Sequence, residues 1–217
     1  MKGSTRFRIL LLATSLFFLM GCDLSYVPSL APLYDEEHGI FDNTLSGTWT
    51  AESCAWSARS SDNGCLLVIE PMPDAVGRDR GSSPRGYVLT VTDERGRSTK
   101  LEGMLVQLGK NRFLDTTIQL ESLEMSMVYA VHFRPLHVFW KIAASGGTLS
   151  LTGLNEEWLK ESIYKKRVKI EYEVIGDTVA LSAPTAALQE FFARHANDNG
   201  AFPPKPGDSG FLVWHRK

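Results

Sequence analysis

From Leu45 onward most of the chain is cut into short strand-like runs, many alternating apolar with polar residues and several bounded by turns rich in glycine, asparagine or aspartate. This period of two constrains the fold most. Successive side chains of a strand point to opposite faces, so runs of this kind bury an apolar face only by lying side by side in a sheet. Leu45 to Thr50 is the first run, Leu66 to Ile69 the second and Tyr87 to Thr92 the third. Asp93-Glu94-Arg95-Gly96 then turns into Lys100 to Leu108, and Gly109-Lys110-Asn111 turns into Arg112 to Leu120. Val128 to Ala143 holds further strand, bent or split at Pro135. Gly146-Gly147 turns into Thr148 to Leu151, and Phe211 to Trp214 is the last run. Residues 71–86, with three prolines and three glycines, read as a long loop.

Two segments carry the helical period instead. Asn155 is a candidate N-cap with Glu156 and Glu157 in the first turn, and Trp158, Leu159, Ile163 and Arg167 share a face. Pro184 is expected at a first helical position, ahead of a stripe of Leu188, Phe191, Phe192 and His195 that stops at Asn199-Gly200. Val168 to Ser182 between them reads as a hairpin turning at Gly176-Asp177. The expected fold is therefore mainly β: an antiparallel β-barrel or a strongly curved meander sheet, with two accessory helices.

The N-terminus is of another kind. Lys2, Arg6 and Arg8 precede Ile9 to Met20, twelve residues without a charge. That length suits the apolar core of a signal peptide and is short for a membrane span, which needs about 20 residues. Leu19-Met20-Gly21-Cys22 resembles the lipobox of bacterial lipoproteins. The resemblance implies cleavage after Gly21 and lipidation of Cys22, hence a palmitate-type anchor in a membrane of the bacterial cell envelope, facing the periplasm or the exterior. Asp23 resembles an inner-membrane retention signal, but that rule differs between lineages and leaves inner and outer membrane open. The expected organisation is a signal peptide over 1–21, a tether over 22–43 with Pro28, Pro32 and an acidic cluster, and one β-rich domain over 44–217.

Loss of residues 1–21 leaves 20 basic against 25 acidic residues, a formal charge of −5, and no basic excess for a nucleic-acid partner. Of the three cysteines Cys22 is assigned to lipid, leaving Cys54 and Cys65 in an oxidising compartment. A Cys54–Cys65 disulfide is the expectation, contributing roughly 3 kcal/mol in the loop-entropy view. Metal ligation and two free thiols are the alternatives, and no further ligand stands at a zinc-like spacing.

Leu45-Ser46-Gly47-Thr48-Trp49 resembles the Gly-x-Trp motif that opens the first strand of lipocalins. The resemblance implies that Trp49 closes the base of a barrel and that a late basic residue, Arg216 or Lys217, packs on it. No Thr-Asp-Tyr type motif accompanies it, and two helices stand where lipocalins have one. The Leu-x-Gly-Thr-Trp start, Arg134-Pro135-Leu136-His137-Val138-Phe139 and the Ala183-Pro184-Thr185 to His195 segment also resemble a set of uncharacterised bacterial lipoproteins, a likeness that carries no activity.

Catalytic and metal chemistry find little support. Gly207-Asp208-Ser209-Gly210 looks like a serine-protease nucleophile motif, but only eight residues follow Ser209 and a turn before a strand explains it. His132 and His137, five apart, fall on opposite faces of a regular strand. His195 on an apolar stripe reads as a boundary residue. No catalytic, cofactor or metal residue is assigned and no enzyme activity is expected. The expected function is a membrane-anchored binding module for a lipid or other small apolar ligand. The alternative is a structural lipoprotein with a filled barrel that docks another envelope protein.

Overall fold

The computed structural model describes residues 26–51, 64–72, 86–119, 135–205 and 210–217. The signal peptide, Cys22, Cys54, His132 and the Gly207–Ser209 part of the protease-like motif lie outside the described residues.

Eight strands close an antiparallel barrel. In chain order the first six are β3 (Gly47–Ala51), β4 (Cys65–Pro71), β5 (Tyr87–Thr92), β6 (Ser98–Leu108), β7 (Asn111–Ile118) and β8 (His137–Ser145). β9 (Thr148–Gly153) and β12 (Phe211–Arg216) complete the ring. Neighbours in sequence pair with one another from β3 to β9, through tight turns at β5–β6, β6–β7 and β8–β9, and β12 closes the ring between β9 and β3. The expected barrel is thus the observed one, of the lipocalin-like kind. Its alternation is plain in β5, where Tyr87, Leu89 and Val91 are buried and Val88, Thr90 and Thr92 are less so.

The expected tether is corrected for the residues described. From Tyr26 the chain is built into the domain. β1 (Pro28–Ser29) pairs antiparallel with β8 and parallel with β11 (Thr178–Leu181), and β2 (Gly39–Ile40) pairs with β6. Val27 and Leu33 are buried, so burial of apolar side chains holds the segment on the domain, and the extended bias of Pro28 suits the short strand β1. Asp115 fixes this segment from mid-strand. Its carboxylate is 3% exposed and accepts from the Leu33 amide at 2.8 Å, the Tyr34 amide at 3.3 Å and His137 Nδ1 at 2.8 Å.

β10 (Tyr172–Ile175) and β11 form the expected hairpin, turning at Gly176-Asp177. α1 (Glu156–Tyr164) begins at its N-cap Asn155, whose side chain accepts from the Trp158 amide. α2 (Thr185–His195) begins one residue later than expected, with Pro184 as the N-cap.

The domain has two apolar cores, one on each side of the barrel wall. The inner core fills the barrel around Trp49, Tyr87, Leu105, Leu149 and Trp214. The outer core lies where Val106, Leu108, Phe113 and Phe139 of β6–β8 meet Leu188, Phe191 and Phe192 of α2. Phe192 packs edge-on against both Phe113 and Phe139, with centroids at 5.4 and 5.2 Å. Lys141 Nζ reaches across to the Ala196 carbonyl at 2.6 Å, capping the negative end of α2. These strands are therefore apolar on both faces, and the helices are attached to the barrel by that outer face.

Candidate binding cavity

One end of the barrel is closed by side chains and by the chain leading into β3. Trp49 is 2% exposed, and its Nε1 donates to the Leu45 carbonyl at 3.0 Å. The Arg216 guanidinium lies over the Trp49 ring, 4.5 Å from its centroid, and donates to the Thr44 and Ser46 carbonyls. Arg216, of the two late basic residues, is thus the partner of Trp49. Gly47 makes room for it: φ there is +138°, and a Cβ would stand 2.9 Å from Arg216 Nη1.

The segment ahead of β3 completes this base. Phe41 stacks on Tyr87 at 5.0 Å, and the Tyr87 hydroxyl donates to the Asp42 carbonyl and accepts from its amide. Burial pushes the Tyr87 hydroxyl pKa up. Asp42 pairs with Arg112 at 2.6 Å, and its carboxyl is held below the usual range, first by the Thr44 hydroxyl and also by Arg112.

The other end is hollow. A cavity of about 580 Å³ lies among Leu67, Leu89, Val91, Leu114, Thr116, Val138, Trp140 and Leu151. Its rim carries Tyr26, Asp93, Arg97, Thr99, Leu101, Thr117, Ile118 and Leu136. This volume falls within the range of small-molecule sites, about 300–1,000 Å³. The deep wall presents no free donor or acceptor from Trp140 or Thr116. Trp140 Nε1 donates to Thr116 Oγ1 at 3.1 Å, and Thr116 Oγ1 donates to the Val138 carbonyl at 2.9 Å. Charge is confined to the rim, where Arg97 and Asp93 pair at 2.6 Å. The Arg97 hydrogen bond is the main reason the Asp93 carboxyl sits below its ordinary pKa. The space is thus apolar within and polar at its mouth. A fully filled interior, the other expectation, is found only in the base half.

The remaining candidates are accounted for by packing. His137 bonds Asp115 rather than facing a metal site. Among the described residues no three His, Cys, Asp or Glu side chains converge. His195 packs between Trp158 and Phe191, at 5.3 and 4.9 Å, and burial lowers its pKa. Cys65 is buried at the start of β4, opposite Ala51, three residues before Cys54.

Sequence reasoning missed the cavity walls and the part played by Tyr26. A threonine and a tryptophan inside an alternating run look like ordinary inward positions, and Tyr26 sat in the expected tether. These features define a lipocalin-like antiparallel barrel with one closed and one hollow end. No protein-family model, curated protein or solved structure matches the chain.

Proposed function

We propose that this is a lipid-anchored protein of the bacterial cell envelope that holds a lipid or other small apolar ligand in its barrel, as a binding module and not as a catalyst. The cavity carries the reading: an apolar space of about 580 Å³, with its deep polar atoms bonded to each other and its charges at the rim. Apolar pockets of this size are the kind that take up small apolar molecules. The address rests on the signal-peptide pattern and on Cys22 as the lipidated residue. A Cys54–Cys65 bridge would join Cys65, on the last β3–β4 rung, to a residue three past its partner Ala51, and so staple that hairpin at the hollow end.

Native mass spectrometry of the protein purified from its own host, in a form beginning at Asp23, tests the ligand. A bound small molecule that leaves on gentle activation is the expected result. Repeated recovery of empty protein, together with a barrel found filled by side chains, would count against it.

A further inference from the structure

We propose that the hollow end of the barrel lies on the bilayer that holds the protein, so that an apolar ligand passes between membrane and cavity without crossing water. This rests on the anchor at Cys22 and on the cavity as a ligand site. It follows from where the chain joins the fold. Tyr26 lines the opening, and the next residue, Val27, is buried in the domain. Cys22 precedes Tyr26 by four residues. A chain spans at most about 3.6 Å per residue, so the acylated cysteine stays within about 14 Å of the rim. A domain of this length has a radius of gyration near 16 Å and is roughly 40 Å across. The anchor is therefore too short to leave the opening on the side turned away from the membrane.

The rim suits that position. Tyr26 and Leu136 are among the exposed large apolar residues, 42% and 37% exposed, and both line the opening. A tyrosine places an apolar ring and a polar tip at a water–lipid boundary. Asp93 and Arg97 neutralise each other there, so the rim brings little net charge to be desolvated. The opposite end presents the exposed turns Gly109-Lys110 and Gly146-Gly147, without a large apolar residue.

The test uses the full lipidated chain in phosphatidylcholine vesicles that carry a nitroxide near the headgroup. An environment-sensitive fluorophore is attached to one added cysteine: Thr99→Cys at the rim, Lys110→Cys at the closed end, or Val174→Cys on the exposed hairpin. The rim label should be quenched several-fold more than the other two. Equal quenching at Lys110, stronger quenching at Val174, or no quenching at Thr99 would each overturn the orientation, as would the absence of acyl chains on Cys22. Binding of a fluorescent fatty acid by the soluble form beginning at Asp23 is scored separately. Saturable binding with an unquenched rim defeats the orientation alone. A quenched rim without saturable binding supports the orientation and defeats the ligand reading.

Discussion

The two ends of the barrel are made of the same eight strands, yet one is solid and the other hollow. Strand number fixes the width of a barrel, but side-chain volume decides whether the interior is filled. At the closed end two tryptophans and a tyrosine, Trp49, Trp214 and Tyr87, point inward beside Leu105 and Leu149. The Asn43–Leu45 turn crosses beneath them and puts Leu45 into the core. At the hollow end the inward residues include Val91, Thr99, Thr116 and Val138, which are smaller. The closed end thus supplies cohesion, and the hollow end gives up packing contacts for space. A protein built this way keeps its packed core and its open space in different layers of one sheet.

Substitutions can break this contrast, and the largest effect is expected at the base. Trp49→Ala removes a fully buried ring and the surface on which Arg216 lies, and should cost about 3–5 kcal/mol in urea unfolding. A loss below about 1 kcal/mol would mean that the base is not the packed half. Next comes the latch on the outer wall. Asp115→Ala leaves the buried Leu33 amide without its acceptor and should cost about 2–3 kcal/mol, with faster hydrogen exchange in residues 27–35. Unchanged exchange there would refute the latch. At the hollow end Val91→Ala removes a side chain that already faces space, so about 1 kcal/mol or less is expected. A cost equal to that of a base substitution would erase the distinction. Arg216→Gln keeps Trp49 buried and loses the cation over its ring, an effect of about 1 kcal/mol that should shrink little on adding salt.

The smallest effect is one of pH, and it too belongs to the segment before β3. Hydrogen bonds, chiefly from Gln189, lower the Asp35 pKa to about 2, and Asp42 is lowered mainly by Thr44. Folded-state values below the unfolded ones mean that their stabilisation is complete above the normal carboxylate range and is lost as pH falls toward 2. The midpoint of denaturation should therefore drop on acidification below about pH 4, and less so in an Asp35→Asn, Asp42→Asn double variant.

Much of this was legible in the sequence, for local reasons. Tight turns make neighbours in sequence into neighbours in the sheet, so the pairings β5–β6, β6–β7 and β8–β9 follow from their punctuation, whereas β3–β4 and β4–β5 pair across long connections. Gly47, Trp49 and a late basic residue were recognisable as a unit through the resemblance to the lipocalin motif, and the structure adds the reason: the positive φ of Gly47 leaves room for the cation over the ring. The N-terminal segment was not legible. Val27 and Leu33 lie in an apolar stretch broken by Pro28 and Pro32 that keeps neither the strand nor the helix period, and only the partners at Asp115 and β8 show where it binds. The two-faced character of β6–β8 was likewise hidden, since alternation says which residues share a face but not that a helix covers the second one. The cavity was least legible of all, because a void is a property of volumes summed over strands far apart in sequence.

The central claim is that the hollow end takes up an apolar molecule while the closed end holds the fold. Titration of a polarity-sensitive fluorescent fatty acid tests it most directly, comparing the native protein with a Val91→Trp, Leu101→Trp variant whose rings fill the mouth. Saturable, blue-shifted emission is expected with the native protein and its loss in the filled variant, with little change in melting temperature. Equal binding by both proteins, or no saturable binding by the native one, would contradict it.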